Sequence, residues 1–242
     1  MKKEYSYERR IVCFIDILGF SKLVKGTVNN DIGGKEKLIN ICCALDRIDG
    51  YLCTMNKEIS LNDIQTTQFS DSVVISFSLD ETSNEILSVF TWIKYMQVFM
   101  IKEYNVLLRG GIVIGDVIHN EKMVVGPAMI DAYTLEAKHA IYPRIIIDSP
   151  VTLLFEKTLD RYRGDSRYYD TTLIRKDLDG ISYIDYFIFP DIKEFLSSPF
   201  MNDYLNQLQL LIDMNINNEN KRIREKYLWI SDKIRTSNII KC

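Results

Sequence analysis

CFIDILGF, residues 13–20, and QFSDSVVISF, residues 68–77, decide the fold. Both are apolar runs of strand type, and each carries one aspartate where the strand should stop, Asp16 in the first and Asp71 in the second. A bare carboxylate beside buried apolar side chains is costly, so each position needs a partner. Residues 11–17 are almost continuously apolar, the pattern of a central strand covered on both faces. Gly19 interrupts that run, and residues 20–25 can start a helix. Residues 65–69 and 73–77 are two strand-like runs separated by Ser70, Asp71 and Ser72, which is a hairpin signature.

Working outward, residues 35–55 place Leu38, Ile41, Cys42, Leu45, Ile48 and Leu52 at helical spacing, a stripe expected to face the core. Residues 81–104 do the same with Val89, Trp92, Ile93, Met96 and Met100. Residues 107–118 read as a strand whose Gly110, Gly111 and Gly115 mark a bulge or the close approach of another group. Residues 127–140 form a helix opened by Pro127, and 143–148 a short strand. The order strand, helix, strand, strand, helix, strand is the split βαβ, ferredoxin-like arrangement of an α+β fold. An extra helix and strand follow it. Residues 156–180 are expected to be a surface excursion, 181–189 a late strand, and 193–236 mostly helix with a break at 215–220. This divides the chain into a core unit, 1–150, and a C-terminal extension, 151–242, packed on it.

The composition fits that scheme. The chain has 242 residues, 47% hydrophobic and 26% charged, enough to bury a core without covalent staples. The net charge of −3 excludes the broad basic footprint of a nucleic-acid binder but leaves room for a small anionic ligand. The five cysteines (Cys13, Cys42, Cys43, Cys53 and Cys242) have no CxxC spacing, so buried free thiols in a reducing compartment are expected. With only His119 and His139 beside them, zinc is not expected. The N-terminal stretch has no signal-type apolar region, and no run reaches the ~20 apolar residues that span a bilayer. The expectation is a cytoplasmic protein without a membrane partner.

In a βαββαβ sheet the first and third strands are central neighbours, so Asp16 and Asp71 should meet although they are far apart in sequence. Two such carboxylates repel unless a cation or proton joins them. A pair of oxygen-ligated divalent ions fits, with the Ile17 carbonyl as a backbone ligand. Leu18, Gly19, Phe20 and Ser21 then run into a helix whose first amides can bind phosphate. A metal pair beside a phosphate cradle describes a nucleoside triphosphate site. Taken singly, Asp16 also reads as a helix N-cap and Asp71 as a turn residue. Their joint placement favours metal.

FIDILGF and FSDSVVISF resemble the two metal motifs of class III nucleotidyl cyclases. LRGGIVIGDV resembles the following strand of that family, and GPAMIDAYTLE its helix entry. The resemblance covers about residues 10–150. Within the class, FIDILGFS, FSDSVVIS, RGGI, the AYxLE segment followed by PRIIID, and the late SYIDYF are most similar to the pyrimidine cyclases of Pycsar anti-phage systems. The resemblance implies conversion of UTP or CTP into the 3′,5′-cyclic monophosphate with release of pyrophosphate. It implies two Mn²⁺ or Mg²⁺ ions per site, a head-to-tail homodimer with composite sites, and a separate effector activated by the cyclic nucleotide. Carried over by residue, Asp16 and Asp71 are the metal aspartates, Ile17 the carbonyl ligand, and Leu18, Gly19, Phe20 and Ser21 the triphosphate loop.

Thr67 and Gln68 fall in the segment that contacts the nucleotide before the second aspartate. Thr67 stands where purine cyclases use a lysine to read the base, and Pro127 where they use an aspartate. Ile130 and Thr134 stand where they carry an asparagine and an arginine for ribose and phosphate. These departures agree with a pyrimidine substrate. UTP is favoured over CTP because no acidic side chain is evident to accept from a cytosine amine. A replacement catalytic cation is sought in Arg109, Lys138 or Arg144, each of which also reads as a structural or surface residue. Tyr133 and Tyr142 could stack on a base or pack in the core, and KRIREK, residues 221–226, is a solvated helix face or a partner surface. The alternatives are an adenylate or guanylate cyclase with unusual base readers, or an inactive nucleotide-binding regulatory domain.

Overall fold

The computed structural model describes residues 5–28, 32–58, 63–79, 84–162, 172–189 and 198–237. Its centre is β1 (Glu8–Ile17), antiparallel to β3 (Ser72–Ser78) on one side and to β4 (Leu108–Asn120) on the other. β2 (Gln65–Phe69) forms a hairpin with β3, and β5 (Met123–Val125) folds back on the end of β4. β6 (Ile145–Ile147) runs parallel to β4. β7 (Ile174–Lys176) and β8 (Ser182–Ile184) extend the same sheet, giving the order β2-β3-β1-β4-β6-β8-β7. The expected α+β plan is therefore present, with the first and third strands adjacent at the centre.

The helices are α1 (Phe20–Lys25), α2 (Ile32–Glu58), α3 (Glu85–Tyr104), α4 (Pro127–His139), α5 (Ser149–Arg161), α6 (Pro199–Asn215) and α7 (Lys221–Thr236). Alternation along β1 assigns the two faces of the sheet. Ile11, Cys13, Ile15 and Ile17 join Val73, Ile75 and Phe77 in the large core under α2, α3 and α5. Val12 and Phe14 point the other way, with Val74, Val113 and Val117, onto Ala128 and Ala132 of α4. Asp16 continues that second row, so it emerges on the α4 face. The strand glycines report the close approach that was expected. A Cβ on Gly111 would lie 2.5 Å from the Ala132 carbonyl oxygen and 3.0 Å from the Glu136 amide nitrogen. Only a glycine lets α4 press this closely on β4.

A third cluster joins Tyr183, Tyr186, Phe187 and Phe189 to α6 and α7, with Leu18, Leu135 and Tyr142 against it. The Trp229 ring of α7 stacks on Tyr142 at 5.4 Å. The C-terminal helices thus pack against the end of β1 where Asp16 lies.

Several expectations are corrected. Cys13 is buried, but Cys42, Cys43 and Cys53 are exposed, because they lie on the outer side of α2; Cys242 lies outside the described residues. Leu38 is 48% exposed, since α2 turns Ile41, Ala44, Ile48 and Leu52 inward instead. The start of the expected surface excursion is helical. α5 is capped by Asp148, which accepts from the Val151 amide at 3.0 Å, and a proline stands in its first turn. Residues 163–171 of it lie outside the described residues, and 174–176 form β7 at the edge of the sheet. The late strand is shorter than expected, ending at Ile184, and the β4–β5 hairpin carried no sequence signal that had been recognised.

Candidate active site

Cross-strand register builds the site. Asp16 lies opposite Ser72 on one side and Arg109 on the other, so all three side chains share a face. Asp16 Oδ1 accepts from Ser72 Oγ at 3.1 Å, and Asp16 Oδ2 accepts from Arg109 Nη2 at 3.1 Å. Asp71 sits in the tight β2–β3 turn beside Ser70, whose φ of 53° is left-handed. Its carbonyl accepts from the Ile17 amide at 3.2 Å, which ties the turn to the end of β1. The Asp71 carboxyl is near enough to act on that of Asp16. Burial first, then the Asp71 charge, raise the pKa of Asp16, and Arg109 opposes both.

Arg109 has a second anionic neighbour. Its Nε stands 2.7 Å from Oε1 of Glu136, a buried residue of α4. The pair holds by charge attraction, because its angle does not make an aligned hydrogen bond. Burial raises the pKa of Glu136, Arg109 lowers it and Asp16 raises it again. Lys226 of α7 feels the charge of this cluster. Burial, and then the positive charge of Arg109, depress its pKa.

The loop leaving β1 begins with Leu18, whose amide donates to the Leu107 carbonyl at 2.8 Å. Gly19 follows with φ 81°, a left-handed turn, and its carbonyl accepts from the Lys22 and Leu23 amides. The amides of Phe20 and Ser21 have no backbone acceptor among the described residues. α1 is only six residues long, so its dipole adds little to those two donors.

Thr67 of β2 is half-buried, and its Oγ1 lies 2.9 Å from His119 Nε2. The Gln68 side chain instead turns back to the Leu45 and Ser70 carbonyls. Lys138 is exposed at the end of α4. Ile130 and Tyr133 are exposed on the same helix, with Tyr133 edge-on to Phe14. The Arg144 guanidinium is fully buried among Asp177, at 2.5 Å, and Asp179. Asp177 also accepts from Lys233 at 2.5 Å and from Trp229 Nε1 at 2.8 Å. The structure therefore brings together Asp16, Asp71 and Arg109. Arg144 is committed to fastening α7, and Lys138 makes no polar contact among the described residues.

Glu136, Ser72, His119 and Lys226 complete the surroundings without having been singled out from sequence. Glu136 was legible as the acid on the Ala128–Ala132–Glu136 stripe, which repeats every fourth position and faces the sheet. Lys226 was hidden inside KRIREK, whose Lys221–Glu225 pair is indeed solvated.

Two facing carboxylates supply the hard oxygen donors that Mg²⁺ and Mn²⁺ prefer. The pKa of Asp16 is raised by burial first and by the Asp71 charge second, and a cation there would offset both. Among the described residues no cluster of three or more His, Cys, Asp or Glu forms, so the fit is to ions that complete their shells with substrate and water oxygens. Among the described residues, no helix is long and apolar enough to cross a membrane.

No family model matches the chain, and no curated protein does either. Among solved structures it is similar to the adenylyl cyclase CyaB from P. aeruginosa, with 14% identity over 76% of this chain and 96% of that one, at a TM-score of 0.49. It is similar to the guanylyl cyclase domain of the RhoGC fusion protein from the aquatic fungus Blastocladiella emersonii, with 15% identity over 73% and 94%, at a TM-score of 0.47. A third is the guanylate cyclase domain of RhGC from Catenaria anguillulae in complex with GTP, with 14% identity over 75% and 98%, at a TM-score of 0.46.

Proposed function

We infer that this chain is a nucleotide cyclase of class III type acting on a pyrimidine nucleoside triphosphate, UTP in preference to CTP. The observation that carries this reading is the meeting of Asp16 and Asp71 at the end of β1, with Arg109 on the same carboxylate. In the reaction the ribose 3′-oxygen attacks the α-phosphorus of its own nucleotide. The new 3′-O–P bond forms as the bond to the β-phosphate oxygen breaks, and pyrophosphate leaves carrying the electron pair. The 3′-hydroxyl proton passes to solvent or to a phosphate oxygen. Asp16, Asp71 and the Ile17 carbonyl would hold two Mn²⁺ or Mg²⁺ ions, which supply charge neutralisation on the triphosphate and acidify the 3′-hydroxyl.

The chain's own groups position and stabilise. The Phe20 and Ser21 amides donate to phosphate oxygens. Arg109, released from Asp16 but still held by Glu136, faces the charge that develops on the transferring phosphoryl group. Ile130 and Thr134 carry no charge, so Arg109 takes the cationic role. The exposed Met123, Val125, Ile130 and Tyr133 on β5 and α4 support a homodimer whose partner closes the site. Residues 1–150 supply the chemistry in this reading, and 151–242 buttress it through α7. The protein acts in the cytoplasm, and the cyclic nucleotide signals to a separate effector in anti-phage defence.

Incubation with each nucleoside triphosphate and Mn²⁺, followed by mass spectrometry, tests the reading. Cyclic UMP and pyrophosphate are expected. Cyclic AMP or GMP as the main product removes the pyrimidine assignment. Binding without any product leaves a regulatory nucleotide-binding domain.

A further inference from the structure

The inward side of α7 carries two lysines with different surroundings. Lys226 lies three, four and seven positions before Trp229, Ile230 and Lys233, which are buried, so helical spacing puts all four on one side. Lys233 Nζ pairs with Asp177 Oδ1 at 2.5 Å. Lys226 is half-buried and has neither a hydrogen bond nor an ion pair among the described residues. The other cations of KRIREK are accounted for. Lys221 pairs with Glu225 at 3.7 Å, Arg224 Nη1 donates to the Asn218 carbonyl at 3.1 Å, and Arg222 is exposed.

The contacts of α7 trace its course from the β7–β8 hairpin toward the end of β1. Trp229 and Lys233 are held by Asp177, which also holds Arg144. The Arg144 carbonyl accepts from the Gly110 amide at 3.2 Å, one residue beyond Arg109. Lys226 lies two turns before Lys233, about 10 Å along the axis. Tyr227, Trp229 and Ile230 share one cluster with Leu18 and Leu135. Leu18 follows Ile17 and opens the loop of the Phe20 and Ser21 amides, and Leu135 precedes Glu136. The charge of Arg109 is felt at Lys226, second to burial.

The carboxylates of the site are already engaged. Asp16 accepts from Ser72 and from Arg109, and Glu136 stands against Arg109. A partly buried cation near a second cation, with no anion of its own, lowers the stability of the fold. It becomes favourable when an anion arrives that joins both. The Phe20 and Ser21 amides, without a backbone acceptor among the described residues, add two donors at the same end of the sheet. Two cations and two open amides suit a chain of phosphate groups, which offers several anionic oxygens in a row.

We propose that Lys226 binds the triphosphate chain of the substrate, so that the C-terminal helix α7 supplies a cation to the site from outside the 1–150 core. The proposal rests on the nucleotide reading of the site and goes beyond the buttressing role given to α7. In the free protein Lys226 is held ready at a cost in stability, and the bound phosphates offset that cost.

The test measures the equilibrium affinity of the full chain for inorganic tripolyphosphate in MnCl₂, beside its affinity for Mn²⁺ alone, its ligand-free melting temperature and a product assay with each nucleoside triphosphate. Lys226→Met keeps the length and helix propensity of the side chain and removes the charge. It should weaken tripolyphosphate binding about ten-fold, the loss of one charge-assisted contact. Lys226→Arg should stay within about three-fold of the parent. Affinity of Lys226→Met for Mn²⁺ alone should not fall, and its ligand-free melting temperature should equal or exceed the parent's. Unchanged tripolyphosphate affinity in Lys226→Met overturns the proposal. So does a loss accompanied by a lower melting temperature or weaker Mn²⁺ binding, which would make Lys226 a packing residue. A parent that forms a cyclic nucleotide but does not bind tripolyphosphate also overturns it, while the cyclase reading stands. Tripolyphosphate binding that depends on Lys226, with no cyclic product from any nucleotide, upholds the proposal and overturns the cyclase reading alone. Neither binding nor product overturns both.

Discussion

Glu136 Oε1 stands 2.7 Å from Arg109 Nε, and Asp16 Oδ2 stands 3.1 Å from Nη2 of the same guanidinium. This pair divides the arginine's charge between two carboxyls, and the division sets how readily Asp16 can accept another cation. Glu136→Gln removes one claim on Arg109, which then pairs with Asp16 alone. Titration with MnCl₂ should show metal affinity weakened about five-fold, since a partly exposed pair is worth about 1 kcal/mol. Unchanged affinity would mean that Arg109 does not guard the carboxylate.

Removing the arginine tests the pair from the other side. Arg109→Ala leaves Glu136 buried without a cation, at a cost of about 3 kcal/mol at neutral pH. The sign of the pH effect follows from the raised pKa of Glu136. A carboxyl with a folded pKa above its unfolded value is most favourable when protonated, so stability falls as pH rises from the ordinary carboxylate range through the folded value. Losing Arg109 raises that pKa further and widens the window. Urea unfolding should therefore show a larger deficit at pH 7 than at pH 5, and Arg109→Ala with Glu136→Gln should recover most of it.

Asp71→Asn separates binding from stability. Asp71's charge is the second cause of the raised Asp16 pKa, after burial. Neutralising it relieves repulsion at pH 7, so the metal-free variant should melt about a degree or two higher than the parent. The same change deletes an anionic metal ligand. Mn²⁺ should raise the parent's melting temperature and leave the variant's unmoved, and turnover should be lost. A variant that still responds to Mn²⁺ would remove Asp71 from the metal site.

What sequence revealed and what it concealed have physical causes. The β1 run and the Ser70–Asp71–Ser72 hairpin carry strong local signals, and sheet order follows from element order, so the Asp16–Asp71 encounter was readable. Arg109 was readable as one of three cations, but its choice over Arg144 was not. Both follow apolar or glycine-rich patterns, and only the fold shows Arg144 enclosed by Asp177 and Asp179. His119 and Thr67 are 52 positions apart, and their hydrogen bond depends on the end of β4 coming beside β2, which leaves no periodic trace. The exposed cysteines of α2 show the opposite failure. Apolar spacing allowed several helix faces to be buried, and packing against α3 chose one.

Asp177 joins the C-terminal helix to the site, and its chemistry makes that joint acid-sensitive. Burial alone would raise its pKa, but hydrogen bonds from Lys233, Trp229 and the Leu178 amide overcome this, and the net shift is downward. A depressed carboxyl stabilises the fold at pH values above the ordinary carboxylate range, and that contribution is lost as pH falls through the folded value. α7 should therefore loosen below about pH 4, where Asp177 takes a proton and releases Lys233. Trp92 and Trp229 are the chain's two tryptophans, so Trp92→Phe leaves Trp229 as a local reporter. Its emission should shift to the red on acidification before far-ultraviolet circular dichroism records global loss of helix. Asp177→Asn should produce the shifted emission at pH 7, at a cost of about 3 kcal/mol, because buried Lys233 loses its anionic partner while Arg144 keeps only Asp179. Because the charge of Arg109 is felt at Lys226 of α7, turnover should fall together with that emission change. A variant that released Trp229 yet kept full activity would show that α7 serves the fold and not the site.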